Sequence, residues 1–483
     1  MQPVGMIVSS HGREVEVLVT DEGVELGSIL KIGDFYGIVA EMYYQEDENI
    51  GSKHRLIAKT QVFGRLEGGK LRKVKKPVRP YTKVEAAGRE ELEAILSTKD
   101  RISIGAVLGT DARAYMNASE YDRHIAILAS TGSGKSYAAA NLIKEFARLG
   151  LPAIVVDTHG EYQKLFAAVT KGTDIKVELY TVKHKRQGCQ QLKIPVSNLN
   201  ANDYRHFTSL NDNQVGALEV ILSRIFSQRK PDDEDYSLQD IIAECDRMID
   251  AIVKGKSSDI HEETAKALRR RISGLDMVFR DVFDVYGTDI NKLVAPGQIT
   301  IVDASLASQA IKQSVISYLS KKLLQGRVNK ENNLGGDVID HRLLFVIEEA
   351  HNYAGSNLAH SCKHQLQRVA SEGRKFGIGL LIISQKPSKI DEEILSQCNT
   401  GVYMHITNPK DKDHIRRTFE CINDTIISDL DSLDVGECII AGAVLDIPFL
   451  LCNVDHIKIE KDSASKFSFE RKQKPKLGGF DYA

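Results

Sequence analysis

The spacing of apolar residues divides the chain into segments of different periodicity. Residues 4 to about 65 contain short runs in which apolar and polar positions alternate, with glycines between them. Residues 4–10 and 14–19 flank the turn His11-Gly12-Arg13, which is a hairpin signal. Short strands at close, regular spacing predict a small, partly open β-barrel at the N-terminus.

The pattern changes from residue 101, where short apolar runs alternate with longer helical segments. These runs lie at 125–129, 153–156, 298–303, 343–347 and 378–383. Runs that are apolar on both faces are typical of buried parallel strands. Strands that alternate with helices predict an open α/β sheet.

Residues 200 to about 290 interrupt this alternation. Glycine becomes rare, and apolar residues recur at helical spacing, as at Leu218, Ile221, Leu222 and Ile225. Such spacing predicts amphipathic helices. We interpret the segment as a helical insertion in the sheet domain.

The first buried run leads into a phosphate-binding motif. Ala129-Ser-Thr-Gly-Ser-Gly-Lys-Ser136 has P-loop spacing, with Ala in place of the first glycine. Lys135 would contact the β- and γ-phosphates of a nucleotide, the Ser136 hydroxyl would bind Mg²⁺, and the following helix would direct its positive end at the same anion. A chance Gly/Ser turn is the alternative. The residues predicted to bind ATP are Ser130, Thr131, Gly132, Ser133, Gly134, Lys135, Ser136 and Tyr137.

Acidic residues follow two other strands. The run at 153–156 ends at Asp157-Thr-His-Gly-Glu-Tyr162, where open α/β sheets bind ligands; a helix-capping role for Asp157 or Thr158 is the alternative and is compatible with it. The run at 343–347 ends at Glu348-Glu349. We predict that Glu348 holds Mg²⁺ and that Glu349 is the base that orients and deprotonates the attacking water. An acidic first helical turn is the alternative.

Two further polar residues flank the strand at 378–383. Gln385 follows it, where an amide would sense the γ-phosphate, and Arg374 precedes it. The entry of that strand lies at the sheet edge opposite the nucleotide of the same chain. Arg374 is therefore predicted to serve a neighbouring subunit, the alternative being an exposed surface arginine.

Composition limits the class of protein. The 483 residues are 27% charged and 42% hydrophobic, with a net charge of −2, which excludes a globally basic nucleic-acid binder. The seven cysteines include no Cys-x-x-Cys pair, and the sequence contains neither an apolar run of membrane-spanning length nor a secretion signal. We therefore expect a cytoplasmic protein without a membrane segment. Seven basic residues between Lys70 and Lys83, interrupted by prolines, are interpreted as a solvated linker, with a nucleic-acid or partner contact as the alternative.

The motifs together resemble the HerA branch of the HerA–FtsK ATPases. The resemblance rests on the P-loop, on Asp157-Thr-His-Gly-Glu-Tyr, on Phe-Val-Ile-Glu-Glu-Ala-His and on Ile-Ile-Ser-Gln-Lys-Pro-Ser. Thr158 departs from the proline that is usual in the family, but the carboxylate of Asp157 is kept. The resemblance implies catalytic roles for Glu349, Lys135, Arg374, Gln385, Asp157 and Arg123, with Arg374 as an arginine finger donated across a subunit interface.

This family resemblance also implies partners and a domain layout. It implies a homo-hexamer that translocates double-stranded DNA through a central pore and acts with a NurA-like nuclease or another effector through the N-terminal barrel. The expected layout is a barrel (1–80), a linker (81–100), a RecA-like ATPase core in two parts (101–199 and 291–445), the helical insertion (200–290) and a tail that braces the neighbouring subunit (446–483). The resemblance does not identify the pore loops; the basic segments 183–186 and 386–389 are the candidates, and solvated surface loops are the alternative.

Two functions of other classes stay open at this stage. The chain could form a nucleotide-gated ring scaffold that recruits and activates a nuclease or an NAD-consuming effector in phage defence. It could also be a secretion- or conjugation-type ATPase, although such relatives usually carry membrane-anchoring segments.

Overall fold

The N-terminal strands form a closed barrel. The computed structural model describes residues 3–21, 23–46, 54–74, 76–183, 188–229, 235–255, 260–355, 361–420 and 422–458. The barrel strands are β1 Pro3–His11, β2 Glu14–Val19, β3 Ile29–Ile32, β4 Phe35–Glu46, β5 His54–Glu67, β6 Lys70–Lys73 and β7 Lys83–Ala86. Their order is β2-β1-β7-β3-β4-β5-β6, and an additional β2–β5 pairing joins the two sides. The predicted barrel is confirmed, but it closes through six strands instead of staying partly open.

The basic stretch between Lys70 and Lys83 is not a simple linker. Lys70–Lys73 pairs with β5 across the turn at Gly68 and Gly69, both of which have positive φ. Lys83–Ala86 pairs with β1 and β3 inside the barrel. The basic side chains obscured the strand pattern because an edge strand tolerates charge on both faces. The barrel therefore extends to Ala86, past the predicted boundary at residue 80, and Lys75 lies outside the described residues.

A twelve-stranded sheet carries the rest of the chain. Its order is β13-β12-β16-β11-β17-β18-β10-β19-β20-β21-β8-β9, parallel from β12 to β19 and antiparallel from β19 to β9. Its strands are β8 Arg101–Val107, β9 Arg113–Asn117, β10 Ile125–Leu128, β11 Ala153–Asp157, β12 Lys176–Thr181, β13 Gln190–Gln191, β16 Gln298–Asp303, β17 Leu343–Ile347, β18 Ile378–Ser384, β19 Thr400–Tyr403, β20 Glu437–Gly442 and β21 Phe449–Val454. Two short strands, β14 Ile194–Pro195 and β15 Phe283–Asp284, pair with each other in a separate sheet. Strands β10, β11, β17 and β18 are buried along their whole length, as the apolar runs predict.

Helices cover the sheet and build the insertion. They are α1 Arg89–Ile95, α2 Lys135–Arg148, α3 Tyr162–Val169, α4 Asp212–Gln228, α5 Leu238–Val253, α6 Glu262–Phe279, α7 Gln309–Glu331, α8 Ser361–Glu372, α9 Glu392–Ser396, α10 Pro409–Thr418 and α11 Asp424–Ser428. Helices α4 to α6 form the predicted helical insertion. Capping boxes at Asn211 and Ser237 satisfy the free N–H groups at the starts of α4 and α5. No helix in the described ranges is long and apolar enough to cross a membrane.

The segment from residue 446 differs from the predicted tail. Phe449–Val454 is a strand of the main sheet, β21, which pairs with β20 on one side and β8 on the other. Its side chains from Phe449 to Cys452 are buried, so this part is core. Residues 459–483 lie outside the described part of the chain.

Candidate nucleotide site

The P-loop lies where strand order reverses in the parallel sheet. Strand β10 runs directly into it and is flanked by β18 on one side and β19 on the other. The carboxyl ends of β11, β17 and β18 open on the same edge, which is where open α/β sheets bind ligands. The sheet therefore gathers the motifs, which are far apart in sequence, at one edge.

The loop has the backbone conformation that its glycines permit. Gly132 and Gly134 have φ of 82° and 102°, in the left-handed region that favours glycine, and Gly134 precedes the first turn of α2. Ser133 Oγ donates to the carbonyl oxygen of Ser130 at 2.7 Å. Gly436 N, at the start of β20, donates to Ser133 O at 3.1 Å. The residues predicted to hold phosphate thus form one cradle at the N-terminus of α2, braced by the loop before β20.

Lys135 and Glu349 meet inside this cradle. Lys135 Nζ lies 3.1 Å from Glu349 Oε1, and both side chains are largely buried. Glu349 has φ 47° and ψ 45°, a strained backbone for a residue other than glycine. Its Oε2 has no hydrogen-bond partner among the described residues, although His351 Nδ1 lies 3.3 Å away. A buried acceptor of this kind is available to a water molecule, as the predicted role of Glu349 requires.

Glu348 faces a different set of partners. It accepts hydrogen bonds from Thr158 N at 2.9 Å and Thr158 Oγ1 at 3.0 Å, and His159 Nδ1 lies 3.5 Å from it. Burial disfavours its charged form, but the hydrogen bonds from His159 and Thr158 outweigh burial and lower the pKa of the carboxyl. Glu348 is therefore an ionised carboxylate within the protein interior.

Asp157 shapes the loop beside Glu348. Its carboxylate accepts hydrogen bonds from the backbone N–H groups of His159, Gly160 and Tyr162. Burial, followed by the nearby charge of Glu348, raises the pKa of Asp157 to about 6. Asp157 therefore holds the turn that carries Thr158 and His159, but neither Asp157 nor Thr158 is the N-cap of α3, which is Glu161.

The acidic side chains and the P-loop serine provide donors suited to a divalent cation. Glu348, Glu349 and His159 present ligand atoms within 4.8 Å of one another, and carboxylate oxygens are the ligands that Mg²⁺ prefers. Ser136 Oγ donates to Glu161 Oε2 at 3.3 Å. The structure therefore places Glu161 beside Ser136, and His159 and Glu349 beside Glu348. Glu161 and His159 are new relative to the predicted pair of Ser136 and Glu348. Both residues belong to the motif that begins at Asp157, so the sequence could have suggested them as ligands, but the motif was not given that role.

Gln385 and Lys312 complete this edge of the sheet. Thr131 Oγ1 of the P-loop donates to Gln385 Oε1, so the predicted sensor is in contact with the phosphate cradle. Lys312, on α7, donates from Nζ to the carbonyl oxygen of Thr158 at 3.0 Å. Nothing in the sequence pattern singles out Lys312, because it is one polar residue on a long helix.

Arg374 and Arg123 lie at the other edge of the sheet. Arg374 is exposed in the turn before β18, and Arg123 immediately precedes the segment leading into β10, where its Nε lies 2.6 Å from Glu120 Oε2. The seven residues of β18 separate Arg374 from the P-loop edge by roughly 23 Å. His124 joins the two arginine-bearing turns, since its Nε2 bonds to Ala370 O and its Nδ1 accepts from Leu380 N. Neither arginine reaches the P-loop of its own chain.

Comparisons with known proteins identify related helicases. The family model for the central domain of helicase HerA matches residues 102–323. The DNA double-strand break repair helicase HerA of Sulfolobus acidocaldarius is 28% identical over 388 residues, covering 79% of this chain and 73% of that protein. HerA of Pyrococcus furiosus is 26% identical over 440 residues, covering 84% of this chain and 78% of that protein.

Solved structures show the same fold at low sequence identity. VirB4 of Thermoanaerobacter pseudethanolicus aligns with a TM-score of 0.54 and 14% identity, covering 74% of this chain and 97% of that one. The plasmid coupling protein TrwB in complex with ADP and Mg²⁺ aligns with a TM-score of 0.51 and 12% identity, covering 78% and 93%. Fold and site together define a RecA-like P-loop ATPase with an N-terminal barrel. Within that class, the chain is similar to the HerA helicases, in agreement with its motifs.

Proposed function

We propose that this chain hydrolyses ATP at the interfaces of a homo-hexameric ring and uses the energy to translocate double-stranded DNA. One observation carries the proposal: the catalytic edge holds Lys135 and Glu349, while Arg374 lies exposed on the opposite edge of the same sheet. An arginine at this edge can stabilise the transition state of phosphoryl transfer only at the nucleotide of a neighbouring subunit. The site is complete when two copies meet.

In the proposed reaction, Glu349 is the general base. Its carboxylate accepts a proton from the water that attacks the γ-phosphorus, and the bond between that phosphorus and the bridging oxygen of ADP breaks. Lys135 leaves the carboxylate and contacts the β- and γ-phosphates. Ser136, Glu348 and Glu161 would hold Mg²⁺, which neutralises phosphate charge when bound. Gln385, which bonds Thr131 across the loop, orients the γ-phosphate.

DNA contacts are proposed beside the same strand end. Lys386 and Lys389 are exposed and follow Gln385 closely in the chain. Loss of the γ-phosphate that Gln385 contacts would therefore displace these lysines. Lysine contacts to phosphate are independent of sequence and weaken as salt increases. The second predicted pore loop, 183–186, is described only at Lys183, because residues 184–186 lie outside the described part of the chain.

The barrel is the proposed docking surface for a NurA-like nuclease or another effector. It exposes Met6, Val8 and Tyr81, the last with 77% of its surface accessible. These residues lie on β1 and in the turn before β7, apart from the nucleotide cradle. The HerA relatives named above are described as double-strand break repair helicases, which supports a partner that processes DNA ends.

The decisive test measures ATP hydrolysis and DNA movement together. Hydrolysis should rise with linear double-stranded DNA, and the protein should displace a triplex-forming strand only when ATP is hydrolysed. Glu349→Gln is the matched inactive control. DNA that neither stimulates hydrolysis nor is moved, alongside intact binding of a nuclease, would instead favour a nucleotide-gated scaffold.

A further inference from the structure

An accessible aromatic pair, Tyr137 and His456, lies beside the P-loop. Tyr137 is among the residues predicted above to bind ATP, whereas His456 has no role in the chemistry above. Tyr137 follows Ser136 in the first turn of α2, and its ring centroid lies 5.8 Å from that of His456 at an interplanar angle of 49°. Tyr137 is half-buried and His456 is exposed. The pair therefore presents ring surface to solvent next to the phosphate cradle.

The chain fixes His456 between two anchors. Arg113 binds the carboxylate of Asp455 through two hydrogen bonds of 2.8 and 2.7 Å, and Asn141 Nδ2 donates to Asp455 O at 2.9 Å. On the other side, the Ile457 side chain is only 5% exposed. The backbone at His456 is thus held against β9 and α2 while the ring faces outward. Such preorganisation lowers the entropic cost of binding a ligand.

The order of strands gives the direction in which a nucleotide would extend. Glu349 follows β17, which lies two strands from β10 on one side, about 10 Å away at the usual strand spacing. His456 follows β21, which lies three strands from β10 on the other side, about 14 Å away. With the γ-phosphate between Lys135 and Glu349, the nucleoside of an elongated nucleotide extends toward the β21 side. The aromatic pair is on that path.

We propose that Tyr137 and His456 form the subsite that stacks the nucleobase of ATP. This inference rests on the proposed ATPase function and adds a base-binding residue from the segment after β21. Aromatic side chains bind bases through their π-faces, and every base has one. Little discrimination between adenine and guanine is therefore expected.

The test separates base contacts from phosphate contacts by using two ligands. Calorimetric titration of the full chain with Mg²⁺ compares a non-hydrolysable ATP analogue with inorganic tripolyphosphate, which has no base. His456→Ala should weaken binding of the ATP analogue about 5- to 100-fold, the range expected for loss of one stacking contact, and leave tripolyphosphate unchanged. His456→Phe should retain the affinity for the analogue.

Control variants distinguish loss of the base contact from loss of the phosphate contacts. Lys135→Ala should weaken both ligands, and His54→Ala, at an exposed barrel histidine, should weaken neither. Unchanged binding of the ATP analogue to both His456→Ala and Tyr137→Ala overturns the subsite. Equal weakening of both ligands in His456→Ala also overturns it, because the histidine would then support only the P-loop. Wild-type protein that binds neither ligand overturns the ATPase proposal itself, which is a distinguishable result.

Discussion

Lys135 Nζ lies 3.1 Å from Glu349 Oε1, so the P-loop cation and the proposed catalytic base form an ion pair. Glu349 has a left-handed backbone, and its Oε2 has no hydrogen-bond partner among the described residues; both features fit the proposed role of the base. A triphosphate competes with the carboxylate for Lys135. Nucleotide binding would therefore release the base at the moment it is needed.

Replacing Glu349 should separate binding from chemistry. Glu349→Gln removes the proton acceptor but keeps the shape of the side chain, so ATP binding should persist while turnover falls by about 10²- to 10⁴-fold. Steady-state hydrolysis and nucleotide titration on the same sample measure the two effects. Hydrolysis near the wild-type rate would contradict the assignment.

Replacing Lys135 should have the opposite signature. Lys135→Ala removes the phosphate contact and leaves Glu349 buried without its cation, so nucleotide affinity itself should fall. A fluorescent-nucleotide titration detects this directly. Lys144→Ala, on the same helix but past the first turn, is the control and should bind normally. Wild-type affinity in Lys135→Ala would show that the loop does not hold phosphate.

Mixed rings test whether Arg374 acts in a neighbouring subunit. Arg374→Ala and Lys135→Ala should each be inactive alone, since an arginine at this position contributes about 10³-fold or more to phosphoryl transfer. Co-assembled rings contain some interfaces with both residues intact, so hydrolysis should partly return. A mixture without subunit exchange should stay inactive. Verified mixed rings that are no more active than their parents would place Arg374 outside the reaction.

Charges on the exposed barrel surface should block the partner. Val8→Glu combined with Tyr81→Glu places two carboxylates on the proposed apolar contact, where they would be desolvated on binding. Co-purification of the nuclease or effector should be lost while ATP hydrolysis without a partner is retained. Tyr286→Glu, at an exposed tyrosine outside the barrel, is the control. A stoichiometric complex with the double variant would show that the partner binds elsewhere.

A buried histidine in the region before α4 should make stability depend on pH. Burial lowers the pKa of His206 to about 4, near Asp203, Lys321 and His364, and Ser317 bonds its Nδ1. The folded state therefore binds fewer protons than the unfolded state between pH 4 and 6.5. Its stability should fall as pH decreases across that window, by up to about 3 kcal/mol.

Denaturant unfolding across this pH range checks the linkage. The free energy of unfolding should depend less on pH in His206→Gln than in the wild type, because glutamine does not titrate. This holds even if the variant is less stable overall. The informative quantity is the difference in free energy of unfolding between the two proteins at each pH. A difference that is constant from pH 4 to 6.5 would show that His206 is not the linked group.

Local spacing along the chain determined the nucleotide-binding loop, the buried parallel strands, the helical insertion and the resemblance to HerA. A P-loop can be recognised because its glycines, lysine and serine are neighbours in sequence, and the phosphate site is built from that one segment. Gln385 was predictable for a related reason, because parallel strands bring their carboxyl ends to a common edge.

Only the tertiary structure decided how distant segments combine. The ion pair of Lys135 with Glu349, and the contacts of Ser136 with Glu161 and Lys312 with Thr158, depend on strand order and on side-chain reach, which periodicity does not encode. The positions of β21 and His456 were also decided by the tertiary structure. The local sequence of β21 does not show which strands it pairs with, because those strands are distant along the chain. Helices and strands depend on residues that are close in sequence, so sequence patterns predict them. A site built from several strands depends on how the whole sheet packs.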